Sequence, residues 1–132
     1  MRAVSVLIVD DEPAVRRALE KALTRRGHTV FLAPSGEQAC ELLAAQSVDA
    51  ILMDLRMPGM SGQTLFHVIL SQWPSLAARV AIMSGDPEAE DQQEWLQMYH
   101  LPVLAKPFEL FRVFEMVDML TAAERRQQAN GL

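Results

Sequence analysis

The sequence alternates five short apolar runs with longer segments in which apolar residues recur at helical spacing. The runs show almost no polar alternation, which is typical of strands buried on both faces of a parallel sheet. They occupy residues 4–9, 30–33, 50–53, 80–83 and 103–105. Each segment between them is long enough for a helical crossover between parallel strands. The pattern therefore predicts a doubly wound α/β fold with a five-stranded parallel sheet, of the form (βα)5.

Local signals mark the ends of the first three predicted helices. Pro13 suits the first turn of the first helix, and Gly27 is placed to end it. Ser35 and Gln38 form the pattern of a capping box before the second helix. Gly62 lies where the third helix should begin.

The chain of 132 residues has the length of one compact domain. The apolar stripe of the last helix is lost near residue 123, so we expect a folded domain over residues 1–122 and a short tail over residues 123–132, without an output domain. Cys40 is the single cysteine, which excludes a disulfide framework and a cysteine zinc site within this sequence.

Composition narrows the function classes. The 17 acidic and 12 basic residues give a net charge of −5, which disfavours a nucleic-acid-binding face. No apolar run is long enough to span a bilayer, and the first residues lack the pattern of a signal peptide. We therefore expect a cytoplasmic chain that contacts neither nucleic acid nor a membrane.

Charged and hydroxyl residues follow four of the five predicted strands. Ligands of such a sheet bind beyond the carboxyl ends of the strands, which meet at one edge. The residues at these ends are Asp10, Asp11 and Glu12 after the first strand, Asp54 after the third, Ser84 after the fourth and Lys106 after the fifth. They are therefore expected to converge on one site.

These residue types suit phosphoryl transfer. Carboxylates at one edge repel each other unless a cation lies between them, and Mg²⁺ suits a small carboxylate cluster, so the pair Asp10 and Asp11 is a candidate for holding the metal. Lys106 and the Ser84 hydroxyl, together with the cation, can neutralise the oxygens of a transferring phosphoryl group. Asp54 stands singly and is the candidate nucleophile that forms an aspartyl phosphate. The alternative is that all of them are ordinary helix caps and loop residues.

Four ordered motifs closely resemble the receiver domain of two-component response regulators. They are Val-Asp-Asp-Glu-Pro at 9–13, Asp-Leu-Arg-Met-Pro-Gly-Met-Ser-Gly at 54–62, Met-Ser-Gly-Asp at 83–86 and Lys-Pro-Phe at 106–108. The resemblance covers about residues 4–121 and implies a flavodoxin-like sheet in the order 2-1-3-4-5, flanked by five helices. Residues 84–108 look more like receivers fused to hybrid histidine kinases than like receivers fused to DNA-binding regulators. The chain is then either a stand-alone receiver or part of a larger protein.

The resemblance also implies roles for the site residues. Asp54 would accept a phosphoryl group from the phosphohistidine of a histidine kinase or phosphotransfer domain. The implied Mg²⁺ ligands are Asp10, Asp11, Asp54 and the backbone carbonyl of Arg56. Ser84 would move toward the phosphoryl group, and Lys106, held by a cis peptide bond to Pro107, would contact it. Such a domain catalyses only its own phosphorylation and dephosphorylation, so it is a regulatory domain rather than an enzyme in the usual sense.

Two features set this sequence apart within the resemblance. Family members often carry Tyr or Phe three residues before the lysine, and an aromatic reorientation accompanies switching there. Here that position is Val103, which has no aromatic ring. A structural change on phosphorylation must therefore reach the face formed by the last two predicted helices and the fifth strand by another route. Arg56 and Asp86 hold two variable positions that control the lifetime of the phosphoryl group in the family, and their opposite charges predict that they pair across the mouth of the site.

Three other functions are alternatives to that of a phosphoacceptor. A phosphatase of the haloacid dehalogenase type needs a second Asp two positions after its nucleophile, where this chain has Arg56. A pure interaction module with a degenerate site is disfavoured because the five residues that the phosphoacceptor chemistry needs are all present: Asp10, Asp11, Asp54, Ser84 and Lys106. A flavin carrier on the same sheet needs a hydroxyl-rich phosphate loop after the first strand, where acidic residues would repel a phosphate.

Overall fold

The five apolar runs each form a strand of one parallel sheet. The computed structural model describes residues 2–130, except the side chains of Glu90 and of residues 123–130. The strands are β1 (Ser5–Val9), β2 (Thr29–Ala33), β3 (Ala50–Asp54), β4 (Val80–Ser84) and β5 (Val103–Ala105). All four pairings are parallel, and the strand order is β2-β1-β3-β4-β5. The predicted α/β fold and the implied flavodoxin-like strand order are confirmed.

Helices connect the strands as predicted. They are α1 (Pro13–Arg25), α2 (Gly36–Ala45), α3 (Gly62–Gln72), α4 (Pro74–Ala77), α5 (Glu90–Met98) and α6 (Leu110–Asn130). Pro13 lies in the first turn of α1, and Gly27 takes a φ of +91° just after its end. The Ser35 hydroxyl caps α2 by accepting a hydrogen bond from the backbone N–H of Gln38.

The short helix α4 was not predicted. It follows Trp73, where α3 ends. Pro74 cannot continue α3 because it has no backbone N–H, but the same property suits the first turn of a new helix. The extra turn therefore arises where a terminator of one helix is also a good start for the next.

Helix α6 runs past residue 122, where the sequence predicted the domain to end. Its backbone is helical to Asn130, while the side chains of residues 123–130 lie outside the described part. The division into a domain over 1–122 and a tail over 123–132 stays a prediction. Among the described residues, no helix has the length and apolar character to cross a membrane.

The sheet is covered on both faces, which gives the molecule two apolar clusters. Side chains alternate across a strand, so Leu7 and Val9 of β1 join one cluster while Val6 and Ile8 join the other. The first cluster includes buried residues of α2, α3, α4 and α5, and the second those of α1 and α6. Strands β3 and β4 are buried along their whole length. Helical layers on both faces leave the carboxyl edge of the sheet as the place where polar side chains collect.

Candidate functional site

A cleft of about 340 Å³ lies at the carboxyl edge of the sheet. Strand β3 ends in Asp54 and β4 ends in Ser84, while Asp10 and Lys106 directly follow β1 and β5. The residues that line the cleft are Asp11, Glu12, Asp54, Arg56, Ser84, Gly85, Asp86 and Lys106. The predicted convergence of the strand ends is therefore observed.

Lys106 lies at the centre of the charged groups. Its Nζ donates to Oδ2 of Asp10 at 2.8 Å, to Oδ2 of Asp54 at 3.1 Å and to Oε1 of Glu12 at 3.2 Å. The first two carboxylates are buried, whereas the side chain of Glu12 is 59% exposed. The peptide bond between Lys106 and Pro107 is cis, as the family resemblance implied.

The pKa values of Asp10 and Lys106 are both raised in the site. Burial raises the pKa of Asp10, and the hydrogen bonds from Lys106 and from the backbone of Glu12 only partly oppose this. Burial by itself would lower the pKa of Lys106, but the hydrogen bonds to and charges of Asp10 and Asp54 outweigh it and raise that pKa. Lys106 is therefore firmly cationic at neutral pH, and three carboxylates face a single ammonium group.

Backbone groups orient the two buried carboxylates. Oδ1 of Asp54 accepts from the N–H of Arg56 at 3.1 Å, and Oδ1 of Asp10 accepts from the N–H of Glu12 at 2.9 Å. The other oxygen of each carboxylate faces Lys106. On the far side of Asp10, Nη1 of Arg16 donates to its backbone carbonyl at 2.6 Å, which ties α1 to the end of β1.

The loop after β3 is held close to Asp54 from two sides. Oε1 of Glu37 on α2 accepts from the N–H of Met60 at 2.9 Å, and the N–H of Gly62 donates to the carbonyl of Leu55 at 3.0 Å. Gly59 takes a φ of +77°, a conformation that favours glycine. These contacts fix the path of the segment that carries Arg56.

The donor set fits a hard divalent cation. One carboxylate oxygen from each of Asp10, Glu12 and Asp54 lies within 4.8 Å of the other two. Oxygen ligands of this kind are those that Mg²⁺ takes, and it commonly keeps several waters as well. Asp11 is exposed and lines the same cleft, so its role as a ligand stays a prediction, as does that of the Arg56 carbonyl. The sequence predicted no role as a ligand for Glu12, but the structure groups it with Asp10 and Asp54.

Ser84 is buried, and its hydroxyl has two protein neighbours. Its Oγ accepts from the backbone N–H of Asp86 at 3.1 Å and lies 3.3 Å from the side-chain amide of Gln92 on α5. Gln92 is itself buried, which the sequence did not predict for a residue in an acidic helix.

The expected pairing of Arg56 with Asp86 is wrong. Nη2 of Arg56 lies 3.8 Å from Oδ1 of Asp91 instead, and both side chains are largely exposed. Asp91 lies in the first turn of α5, which packs so that this turn faces the loop after β3. The carbonyl of Asp86 and Nε of Arg56 are instead both within reach of the Gln92 amide.

Glu12 was expected at the site but was given no role there, and two further residues of the site, Arg16 and Gln92, were not predicted. Glu12 had a detectable signal, because it follows two acidic residues at a strand end. Arg16 and Gln92 had none, since both belong to helices whose polar residues suggest solvated faces. Their roles depend on how α1 and α5 pack against the sheet.

Comparison with known proteins is consistent with this geometry. The family profile described as "Response regulator receiver domain" matches residues 6–118. The DNA-binding transcriptional regulator NtrC of Klebsiella pneumoniae is 32% identical over 121 residues, which is 92% of this chain and 25% of NtrC. The transcriptional regulatory protein KdpE of Mycobacterium tuberculosis is 35% identical over 124 residues, or 94% of this chain and 52% of KdpE. The chain thus spans between a quarter and about half of these relatives.

Solved structures show the same fold. The signal receiver domain of an HD domain-containing protein from Pseudomonas fluorescens superposes with a TM-score of 0.84 at 24% identity, covering 95% of this chain and 99% of that one. The receiver domain of a sensor histidine kinase from Pseudomonas aeruginosa, with a magnesium ion coordinated in its active-site cleft, has a TM-score of 0.79 at 27% identity, covering 92% and 99%. With the profile matching most of its length, this chain belongs to the response regulator receiver domains of two-component systems.

Proposed function

We propose that this chain is a Mg²⁺-dependent phosphoacceptor switch that receives a phosphoryl group on Asp54 from the phosphohistidine of a histidine kinase or a phosphotransfer domain. The observation that carries the proposal is the position of Asp54. Its Oδ2 lies 3.1 Å from Nζ of Lys106, in a cleft that is also lined by Ser84 and three further acidic residues.

The transfer step is a displacement at phosphorus. A carboxylate oxygen of Asp54 attacks the phosphorus, the P–N bond of the phosphohistidine breaks, and the imidazole nitrogen leaves with the electron pair and takes up a proton. Lys106 supplies positive charge next to the attacking carboxylate, and the Ser84 hydroxyl supplies a donor for a phosphoryl oxygen. In the later dephosphorylation step, water attacks the phosphorus and the P–O bond to Asp54 breaks. Inorganic phosphate leaves, and the Asp54 carboxylate is restored.

Magnesium would be held by Asp10, Asp11, Asp54 and the backbone carbonyl of Arg56, and the position of Glu12 makes it a further candidate ligand. When bound, the ion neutralises charge on the phosphoryl oxygens. The chain's own residues prepare the carboxylates for the reaction. Lys106 offsets one carboxylate charge, and the backbone N–H groups of Arg56 and Glu12 fix the orientation of the two buried carboxylates.

The domain is regulatory, and its slow autodephosphorylation is part of the proposal. The position two residues after Asp54 holds Arg56, whose side chain is 65% exposed, so no carboxylic acid stands there to protonate a leaving group. The similar proteins include two transcriptional regulators, of which NtrC is a DNA-binding one, and the receiver domain of a sensor histidine kinase. Fusion to a histidine kinase and a stand-alone receiver both stay possible arrangements of this domain. That these residues contact neither nucleic acid nor a membrane, and that the chain is cytoplasmic, stay predictions.

The test is phosphorylation of the purified chain. We expect acetyl phosphate with Mg²⁺ to add one acid-labile phosphoryl group, with acetate as the leaving group, detected by intact mass spectrometry. Asp54→Asn should abolish the addition because it removes the nucleophilic carboxylate. Omitting Mg²⁺ should slow it strongly, since charge repulsion between the cleft and the phosphodonor is then unscreened.

Asp118→Asn is the matched control. Asp118 lies on α6 and acts electrostatically on His28 near the start of β2, at the opposite edge of the sheet from the cleft. This variant should be phosphorylated like the wild type. Labelling that survives Asp54→Asn would refute the assignment of the acceptor, and multiple turnover on a phosphomonoester would favour a phosphatase instead.

A further inference from the structure

Glu12 carries a carboxylate at the mouth of the cleft that its own helix does not use. It is the N-cap residue of α1, a position where short polar side chains accept hydrogen bonds from the first turn, but the Glu12 side chain forms no such bond. Its backbone is fixed, because its N–H donates to Oδ1 of Asp10 and its carbonyl accepts from the N–H of Arg16. Among the described residues, the hydrogen-bond partner of its carboxylate is Nζ of Lys106, at 3.2 Å.

The three N–H bonds of the Lys106 ammonium group are all directed at carboxylates. Nζ lies 2.8 Å from Oδ2 of Asp10, 3.1 Å from Oδ2 of Asp54 and 3.2 Å from Oε1 of Glu12. A phosphoryl oxygen that arrives at Asp54 can be bonded by Lys106 only if it takes the place of one of these carboxylates. The question is which of the three contacts is broken most easily.

The three carboxylates differ in how costly their release from Lys106 is. Asp10 is fully buried and Asp54 is 8% accessible, and within the described residues each forms its only ion pair with Lys106. Loss of that partner would leave a buried carboxylate without a counter-charge, which is strongly unfavourable. The side chain of Glu12 is 59% exposed, so water can replace Lys106 at little cost.

The protonation equilibrium of Lys106 agrees with this order. The hydrogen bonds and charges that raise the pKa of Lys106 are those of Asp10 and Asp54. The contact with Glu12 is also the longest of the three. Glu12 is therefore the carboxylate that Lys106 holds least firmly.

We propose that Glu12 is the exchangeable partner of Lys106: it accepts the third N–H of the ammonium group in the unphosphorylated chain and releases it to a phosphoryl oxygen at Asp54. The inference rests on the proposed phosphoacceptor function. Glu12 slows phosphorylation because its contact with Lys106 must be broken first. This assigns Glu12 a role as a positioning residue that acts on Lys106, in place of a role as a ligand of Mg²⁺.

The experiment compares the full chain with two variants of Glu12. Glu12→Gln keeps the length of the side chain and removes its charge. Glu12→Asp keeps the charge but is one methylene group shorter, and Asp is a preferred N-cap residue, so its carboxylate is drawn towards α1 and away from Lys106. Glu20→Gln, at an exposed position on α1, is the matched control for the removal of one charge.

Three quantities are measured for each protein. The first is the rate of phosphorylation on Asp54 by acetyl phosphate at saturating Mg²⁺, followed by intact mass spectrometry. The second is the Kd of Mg²⁺ without a phosphodonor. The third is the ¹⁵N NMR resonance of the Lys106 ammonium group, also without a phosphodonor, which reports the contact with Glu12 directly.

We expect both Glu12 variants to be phosphorylated about twofold to fivefold faster than the wild type, a factor that matches the strength of an exposed ion pair. The Lys106 resonance should shift in both variants, and the Kd of Mg²⁺ should stay close to that of the wild type. Glu20→Gln should equal the wild type in all three measurements. Glu12 is exposed, so melting temperatures near that of the wild type should show that both variants fold.

The outcomes separate this inference from the proposed function. If the wild type takes no phosphoryl group on Asp54, the proposed function itself fails. If the wild type is phosphorylated but Glu12→Asp is no faster, Glu12 acts through its charge alone and the inference is overturned. A loss of Mg²⁺ affinity of about tenfold or more in Glu12→Gln would make Glu12 a metal ligand and overturn it as well. An unchanged Lys106 resonance in both variants would show that the contact is not formed in solution, while the proposed function stands.

Discussion

At the scale of the residue, the buried side chains of Asp10 and His28 differ in how well hydrogen bonds stabilise their charged forms. Asp10 is fully buried, and the Lys106 ammonium group and a backbone N–H that bond to it compensate part of its charge. His28 is 4% accessible; its Nδ1 accepts from the N–H of Val4 at 3.1 Å, but its Nε2 has no hydrogen-bond partner among the described residues. Because Nδ1 accepts a hydrogen bond, the neutral ring carries its proton on Nε2, and a second proton would have to occupy Nδ1 and break the bond from Val4.

His28 should make the stability of the protein depend on pH. Burial lowers its pKa below the value of about 6.5 that the unfolded chain has; the charge of Asp118 opposes this in part, and the charge of Arg26 adds to it. Below that value the unfolded state binds a proton that the folded state resists, so the free energy of unfolding falls as the pH drops through 6.5, by at most about 1.4 kcal/mol per pH unit. Thermal unfolding between pH 7.5 and 5.5 measures this loss.

His28→Asn should weaken that dependence, because Asn keeps an acceptor near the position of Nδ1 and does not titrate. His100→Asn serves as its control: His100 is exposed and takes a φ of +53°, a conformation that Asn tolerates. An equal loss of stability on acidification in His28→Asn and in the wild type would contradict the assignment to His28.

At the scale of the element, the start of α3 controls the approach to Asp54. Gly62 is the first residue of this helix, and a Cβ at this position would overlap the carbonyl oxygen of Asp54 and lie 2.7 Å from Cα of Leu55. Backbone atoms cannot move aside as a flexible side chain can. The absence of a side chain therefore lets α3 begin directly against the end of β3, with Ser61 capping it through the N–H of Thr64.

Gly62→Ala should move α3 away from Asp54. We expect a loss of about 1–3 kcal/mol in the free energy of unfolding, the range for overpacking a tight site. The rate of phosphorylation by acetyl phosphate should fall with it. Gly85→Ala is the control for stability, because a Cβ at Gly85 meets nothing within 4 Å. Equal melting temperatures for the two variants would rule out the steric argument.

For the whole molecule, the sheet holds like charges together at its edge and relies on apolar packing to do so. Two apolar clusters, one on each face, fix the strands, while the cleft collects three carboxylates against one ammonium group. The folded state thus carries a repulsion that the extended chain does not. A bound divalent cation relieves that repulsion only in the folded state.

Magnesium should therefore stabilise the protein by mass action. At a concentration ten times its Kd we expect about 1.4 kcal/mol of added stability, seen as a rise of a few degrees in the melting temperature. NaCl at matched ionic strength is the control for screening, and Asp54→Asn should respond less to Mg²⁺ than the wild type. The same rise with NaCl as with MgCl₂ would mean that screening, and not a bound ion, is responsible.

The sequence by itself determined the fold class and the edge at which the site forms. The apolar runs and the helical spacing specify which segments become strands, and residues next to strand ends are fixed in place by the covalent chain, so Asp54, Ser84 and Lys106 could be assigned to one edge in advance. Local chemistry also determined the caps at Pro13 and Ser35. These features follow from short-range periodicity and sequence order.

Only the tertiary structure decided which side chains from different elements meet. Glu12 joins the buried carboxylates through Lys106, Arg56 pairs with Asp91 rather than Asp86, and Gln92 is buried beneath the loop that follows Ser84. The physical reason is that the rotation of α5 on the sheet is set by the sum of its apolar contacts. That rotation, and not any local preference of a glutamine in an acidic helix, turns one polar residue inward and leaves its neighbours in water.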